Sequence, residues 1–253
     1  MTTVATLNIE ALEQRTPFAN ILIYGESGVG KTVFASTAPR PILWLDSEGG
    51  TSSISDKTGI DVARVGGLET YQEALIYLEA NPDTYKTVVF DSFTETQAHI
   101  LTGLMRKAKA LDETRDKFLP QFGEYRIATG MMREIVRAFR DLPIHVVITA
   151  LQREDTDDLT GRTKVRPRLL PTFADELPGF LDAELYLYAA TPQKGEVDGE
   201  GVAADDEGVT VIRNALLKPT GKYAAKIRAP KGSEPPDYLT DPTFDKVVEL
   251  LGL

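Results

Sequence analysis

The chain has 253 residues, 42% of them hydrophobic, which is enough for one large domain with a full core and short for two. It contains no cysteine and only two well-separated histidines, His99 and His145, which excludes disulfides, iron–sulfur clusters and multi-histidine metal centres. The formal net charge of −10 argues against a protein that coats nucleic acid over its whole surface, so any DNA contact must be local.

The first half of the chain alternates short apolar runs with helical patterns, which predicts a parallel sheet with crossover helices. The predicted strands are nearly continuous in Val, Ile and Leu, which indicates burial on both faces, and they cover residues 20–24, 42–46, 87–91 and 144–150. The predicted helices cover residues 69–80, 93–111 and 124–140.

The second half is more polar, and its pattern predicts a loop over residues 151–168, a short helix and a strand over residues 183–190. Two further strands, at 209–218 and 223–228, are predicted to form an antiparallel hairpin about a turn at 219–221. Residues 194–208 are predicted as a mobile loop, and a proline-rich irregular tail at 231–242 precedes a closing helix at 243–251.

The predicted fold class is therefore α/β, with a mainly parallel sheet, flanking helices and antiparallel strands toward the C-terminus. We expect a single domain, with an N-terminal segment at 1–18, a core at 19–230 and a tail at 231–253. Residues 1–15 show no secretion-signal pattern, and no run reaches the ~18 apolar residues that would span a bilayer. We expect a cytoplasmic protein.

A phosphate-binding motif follows the first predicted strand, which is the context that the pattern G-x-x-x-x-G-K-[ST] requires. Its glycines let consecutive backbone N–H groups point at phosphate oxygens. Lys31 would reach the β- and γ-phosphates, and the Thr32 hydroxyl would bind Mg²⁺. The motif consists of Gly25, Glu26, Ser27, Gly28, Val29, Gly30, Lys31 and Thr32. The sequence therefore predicts binding of ATP with Mg²⁺; the guanine-reading motif Asn-Lys-x-Asp is absent from the sequence, which disfavours GTP.

Two acidic residues follow other predicted strands, where a parallel sheet opens toward its ligand. Asp91 ends the strand at 87–91 and is the candidate Walker B residue, which would help to hold the metal. Glu48 lies just beyond the strand at 42–46 and is the candidate catalytic base. Two alternatives remain: Asp46 is the catalytic carboxylate, or Glu48 is an exposed turn acid with no role.

These residues together resemble the RecA family, which has a P-loop, an Asp-x-Glu after the next strand and an apolar Walker B strand. More narrowly, the chain is similar to phage-encoded RecA-like nucleotide-binding proteins of the Sak type, which are implicated in single-strand annealing and recombination. The further points of similarity are Phe122-Gly123-Glu124-Tyr125, Thr149-Ala150, residues 171–182 and Ala225-Lys226-Ile227-Arg228.

The resemblance implies an ATPase with Glu48 as its catalytic carboxylate, acting on single-stranded DNA in the host cytoplasm. It also implies a homo-oligomer, as a filament or ring, and a single-strand DNA-binding protein as a further partner. Where the RecA pattern has Asn-Gln, this chain has Thr149-Ala150. Gln152 or Thr149 would then sense the γ-phosphate, or the coupling of ATP to DNA differs.

Residues 153–168 resemble the DNA-binding loop of RecA proteins in position. The basic end of this segment supplies the predicted phosphate contacts, which are Arg162, Lys164, Arg166 and Arg168. A solvated charged hairpin is the alternative. No aromatic residue lies among these cations, so no stacking platform for bases is predicted.

Lys226 and Arg228 lie two apart in a predicted strand and project on the same side. They resemble the Lys-x-Lys pair by which RecA-like filaments reach a neighbour's γ-phosphate, which implies a catalytic role in trans. Cations on an exposed strand that pair with local acids are the alternative.

The leading functional prediction is a DNA-dependent recombination ATPase. A helicase-loading or replication-associated ATPase shares the same fold, and fold does not fix function. A nucleotide-regulated interaction module with little turnover and a small-molecule kinase are the remaining alternatives.

Overall fold

The computed structural model of the protein describes residues 17–157, 159–190 and 211–253. In these residues the strands form one sheet of order β10-β8-β7-β1-β5-β4-β2-β3, with β6 paired to β5 and β9 paired to β7. The strands are β1 (Asn20–Gly25), β2 (Ile42–Asp46), β3 (Ile60–Arg64), β4 (Thr87–Asp91), β5 (His145–Thr156), β6 (Thr163–Pro167), β7 (Ala183–Ala190), β8 (Ile212–Leu216), β9 (Lys226–Ile227) and β10 (Tyr238–Thr240). The helices are α1 (Lys31–Ala35), α2 (Leu68–Ala80), α3 (Phe93–Leu111), α4 (Phe122–Arg140), α5 (Pro171–Glu176) and α6 (Phe244–Leu251).

The core of the sheet is parallel. Strand β1 pairs with β5 and β7, β4 pairs with β2 and β5, and β3 extends this parallel set at one edge. Strands β6, β8, β9 and β10 are antiparallel to their neighbours. The predicted α/β fold, a mainly parallel sheet with flanking helices that is extended by antiparallel strands toward the C-terminus, is confirmed.

Both faces of the sheet are covered, because alternate residues of each central strand enter different cores. On β1, Leu22 and Tyr24 pack with residues of α2, α3, α4 and α5, whereas Ile21 and Ile23 pack with residues of α1 and α6. Every residue of β1 is buried, as its apolar sequence predicts. No helix in the described ranges has the length and apolar character needed to cross a bilayer.

The predicted loop at residues 151–168 is wrong, because most of this segment is a hairpin. Strand β5 continues to Thr156 and pairs with β6 from Gln152–Pro167 to Thr156–Thr163. The polar residues of the two arms are half-buried or exposed, so they lack the apolar signal of a core strand. Hydrogen bonds between the backbones of β5 and β6 hold the two arms together instead.

The predicted hairpin of strands 209–218 and 223–228 is also wrong. Strands β8 and β9 pair separately with β7, at Tyr186–Ala190 and at Ala183–Glu184. The chain between them runs beside β6, where Tyr223 forms a bridge with Val165. The eight residues of β7 offer an edge long enough for both partners.

Two short strands were not predicted. Strand β3 has an exposed and half-buried pattern, and β10 has three residues within the tail that was expected to be irregular. The closing helix is confirmed as α6, with the Thr243 hydroxyl accepting a bond from the Lys246 N–H. The predicted mobile loop at 194–208 and most of the N-terminal segment lie outside the described residues.

Candidate active site

The phosphate motif forms a tight loop between β1 and α1. A Cβ atom on Gly25 would lie 2.3 Å from the Leu187 carbonyl oxygen, so the neighbouring strand β7 leaves room only for glycine. Gly30 has φ +106°, which side chains rarely adopt. The loop therefore has the curled backbone that presents N–H groups to phosphate.

Lys31 begins α1 and is only 8% exposed. Its Nζ donates to the carbonyl oxygens of Gly25, at 3.2 Å, and Glu26, at 2.6 Å. Burial lowers the pKa of Lys31, and the nearby charges of Glu48 and Asp91 oppose that change. The ammonium thus lies across the loop, where it would contact the β- and γ-phosphates of a bound nucleotide.

Asp91 ends β4, which is separated from β1 by the single strand β5. Its carboxylate therefore lies close to the phosphate loop. One carboxylate oxygen accepts a bond from the Thr32 hydroxyl at 2.9 Å, and the other accepts from the Thr149 hydroxyl at 2.6 Å. Burial raises the pKa of Asp91, and these two hydroxyls oppose the shift. The structure therefore brings together the two residues predicted to hold the metal.

These oxygen donors fit Mg²⁺, which prefers a few carboxylate or hydroxyl ligands together with water and phosphate. In the part of the chain that the structure describes, no group of three or more His, Asp or Glu side chains could hold a metal ion. An ion at Thr32 and Asp91 would thus depend on nucleotide phosphates for further ligands. When bound, it would neutralise charge on those phosphates.

Glu48 and Asp46 have different surroundings at the end of β2. The Asp46 carboxylate is buried and accepts bonds from the backbone N–H groups of Glu48, at 3.2 Å, and Gly49, at 2.7 Å. The Asp46 carboxylate thus stabilises the turn that follows β2. The Glu48 side chain is exposed and accepts a bond from the Ser92 hydroxyl, next to Asp91. Of the two carboxylates, Glu48 is the one available to activate a water molecule.

Gln152 connects the loop to the β5–β6 hairpin. Its Nε2 donates to the Glu26 carboxylate at 3.3 Å, and its Oε1 is buried with no hydrogen-bond partner among the described residues. Thr149, the other predicted sensor, is fully buried against Asp91. The base of the hairpin therefore touches the phosphate loop directly.

The predicted DNA-contacting cations lie on or beside β6. Arg166 is bonded to Asp155 at 2.7 Å and to Asp175 at 3.0 Å. Arg162, Lys164 and Arg168 are exposed, and none of them forms an ion pair within the described ranges.

Lys226 and Arg228 lie toward the opposite end of the strands from the phosphate loop, because Lys226 pairs with Glu184 near the start of β7, whereas Gly25 is in register with Leu187. The Lys226 ammonium donates to the carbonyl oxygens of Pro178 and Leu181. Arg228 donates to the Gly179 carbonyl at 2.8 Å and lies 3.4 Å from the Asp182 carboxylate. Neither cation bonds to the phosphate loop of its own chain.

The structure adds Arg213, which sequence reasoning missed. Its Nε donates to the Val29 carbonyl at 3.2 Å, and a Cβ atom on Gly30 would lie 2.8 Å from it. This cation comes from β8 and reaches the loop only because β8 pairs with β7 beside β1. No local sequence pattern indicates that proximity.

A family model covers the whole of this site. The family is described as an AAA domain, and its model matches residues 18–229. No curated protein is significantly similar to the chain. Among solved structures, the chain is similar to a KaiC-like protein from the archaeon Pyrococcus horikoshii, with 10% identity and a TM-score of 0.41 over 78% of this chain and 77% of that one. The family match and the phosphate loop support a P-loop ATPase domain. The chain belongs to the AAA domain family.

Proposed function

We propose that this protein hydrolyses ATP and acts on single-stranded DNA in recombination or annealing. The observation that carries the proposal is the contact between Glu26 of the phosphate loop and Gln152 at the base of the β5–β6 hairpin. It gives the nucleotide site a direct path to a surface that carries exposed cations.

In the proposed hydrolysis, Lys31 contacts the β- and γ-phosphates and Glu48 takes a proton from the attacking water. The Ser92 hydroxyl holds the Glu48 carboxylate. Ser92 is itself fixed as the N-cap of α3, where its Oγ accepts a bond from the Glu95 N–H. A strand end and a helix start thus position the catalytic base.

The DNA surface is the outer part of the hairpin. Because the chain carries a net charge of −10, phosphate contact requires a local group of cations. Arg162, Lys164 and Arg168 provide one, whereas Arg166 is held by two acids and would contribute less. We propose recombination in preference to helicase loading because the sequence motifs resemble those of phage annealing proteins. In that setting, a single-strand DNA-binding protein is the expected further partner.

The test is the salt dependence of single-stranded DNA binding by the triple variant Arg162→Ala, Lys164→Ala and Arg168→Ala. Each lost phosphate contact lowers the slope of log affinity against log salt by about 0.7, so the variant should lose about 2. A matched control replaces Lys86, Lys107 and Lys231, which are exposed and lie outside the hairpin. An equal slope in the triple variant and the wild type would contradict the proposal.

We further propose that Lys226 and Arg228 act on the nucleotide of a neighbouring protomer in a filament or ring. Since they lie toward the other end of the strands from their own phosphate loop and bond to groups there, we propose that they contact phosphate in trans. Lys226 would have to exchange its carbonyl partners for phosphate oxygens. Burial lowers the pKa of Lys226, and an anion nearby would reverse that change.

A further inference from the structure

Two cavities meet at the turn formed by residues 219–224, and the larger one lies beside the phosphate loop. The larger, of about 650 Å³, lies between Glu26–Val29, the end of β7 and the turn at 219–224. The smaller, of about 340 Å³, lies between that turn, β6 and Glu184. Thr220 and Tyr223 line both cavities, so the two share part of their wall. Their sizes fall in the range of roughly 300–1,000 Å³ that small-molecule sites occupy.

The larger cavity is lined by stacked tyrosines. The ring of Tyr186 is nearly parallel to that of Tyr223, at 4.4 Å and 18°, and to that of Tyr188, at 5.8 Å and 16°. Tyr186 is buried, whereas Tyr188 and Tyr223 are half-exposed. The outer rings of the stack therefore border the cavity, as in a platform on which a planar base stacks.

The smaller cavity has a buried carboxyl group in its lining. Glu184 is 4% exposed, lines this cavity and lies near the charge of Lys226. The residue opposite it, Lys226, directs its ammonium to the carbonyl groups of Pro178 and Leu181. Burying a carboxyl group costs free energy, and an apolar residue would fill a core position at lower cost. Its place in the cavity wall indicates a ligand that donates hydrogen bonds.

Lys164, Arg166, Lys222 and Asp175 line the smaller cavity, and because Arg166 pairs with Asp175, the cations available to a phosphate there are Lys164 and Lys222. Ala224 forms part of the wall of this cavity and is connected to β1, the strand that leads into the phosphate loop, because the Tyr24 hydroxyl donates to the Ala224 carbonyl at 2.5 Å. Glu184, Tyr186 and Tyr188 lie on the sheet face that carries α4 and α5, not on the face of α1. This is also the face on which Val165 of the hairpin packs.

We propose that these two cavities bind consecutive unpaired bases of single-stranded DNA, one stacked on the tyrosines and the next held by its amino group at Glu184. Lys164 and Lys222 contact the phosphates that join the two nucleotides. A carboxylate accepts from the N4 amino group of cytosine, whereas thymine presents a carbonyl oxygen at that position. The site therefore favours cytosine over thymine. This inference rests on the proposed DNA function and names the chemistry by which the strand is bound.

The test measures the affinity of the full chain for oligo-dC and oligo-dT by fluorescence anisotropy at one salt concentration. The wild type should bind oligo-dC about tenfold more tightly, as expected for one well-placed base contact. Glu184→Gln should remove most of that preference by weakening oligo-dC binding. Tyr188→Ala should weaken both oligonucleotides by roughly 5- to 150-fold, which corresponds to the loss of one stacked base. The matched controls Glu79→Gln and Tyr77→Ala alter exposed residues of α2 and should bind as the wild type does.

A second measurement uses the unaltered protein and does not depend on the folding of a variant. An oligonucleotide that carries 5-iododeoxycytidine should crosslink under ultraviolet light to Tyr188 or Tyr223, as located by mass spectrometry. Crosslinks confined to residues outside the two cavities would overturn the inference.

The two proposals fail in different ways. If the hairpin triple variant loses salt dependence while Glu184→Gln and Tyr188→Ala bind like the wild type, the base site is overturned and the DNA function stands. If Tyr188→Ala weakens ATP binding and leaves DNA binding intact, the cavity holds the adenine of ATP and the inference is wrong. If the wild type binds no single-stranded DNA, both proposals fall.

Discussion

Replacing Glu184 by glutamine is expected to stabilise the folded protein at neutral pH. Burial raises the pKa of Glu184 from its ordinary value of 4.5 to about 7. Below pH 4.5 the carboxyl is neutral in both the folded and the unfolded chain and costs nothing. As the pH rises, the unfolded chain releases the proton first, so stability is lost until the pH passes the folded pKa.

The size of the effect follows from the two pKa values. Their difference corresponds to roughly 3 kcal/mol of unfolding free energy above pH 7, of which roughly 2–3 kcal/mol develops between pH 5 and pH 8. Glutamine has nearly the same shape as glutamate, but its amide group does not ionise. The unfolding free energies of wild type and Glu184→Gln should therefore diverge across this interval, with the variant the more stable at pH 8.

The assay is urea unfolding at several pH values, followed by circular dichroism. Glu79→Gln removes an equal charge from the exposed surface of α2 and serves as the control. If the difference between wild type and Glu184→Gln stayed constant from pH 5 to pH 8, Glu184 would not be the costly buried carboxyl inferred here.

Further predictions concern the nucleotide site. Lys31→Ala should abolish tight ATP binding, because the loop loses its only ammonium; unchanged affinity in a titration of folded variant would refute the P-loop assignment. Glu48→Gln should retain ATP binding and slow hydrolysis by roughly 10²-fold or more; a larger loss in Asp46→Asn would make Asp46 the catalytic carboxylate. Arg213→Ala should weaken ATP binding, measured by calorimetry, because it removes a cation from the loop; unaltered affinity would leave Arg213 with only a packing role. Mixing Arg228→Ala with Glu48→Gln protein should restore ATPase activity at interfaces that combine an intact Glu48 with an intact Arg228; no recovery in proven co-assemblies would exclude action in trans.

The central strands and the phosphate loop could be predicted from the sequence because their signals are local. Residues 42–46 and 87–91 are continuous apolar runs that end in a carboxylate, and the structure has strands with the same bounds. In a parallel sheet, such strand ends meet at one edge, which is why the placement of Asp91 near Thr32 could be anticipated.

The remaining features depend on pairing between distant segments. The tyrosine cavity combines residues of β7 with Tyr223 from the chain between β8 and β9, and no stretch of sequence shows them as neighbours. The polar sequence of residues 151–168 predicts a loop. The structure has a hairpin there, because backbone pairing holds its two arms together without burial. Arg213 reaches the phosphate loop only through the order of β8, β7 and β1 in the sheet.

The most direct test of the central claim is the rate of ATP hydrolysis by the wild-type chain with single-stranded DNA, with duplex DNA and without polymer. The structure links the phosphate loop to the hairpin through Glu26 and Gln152, so single strands should stimulate hydrolysis, and duplex DNA should stimulate it less. Gln152→Ala should retain the basal rate and lose the stimulation. Equal rates under all three conditions would contradict an ATPase that acts on single-stranded DNA.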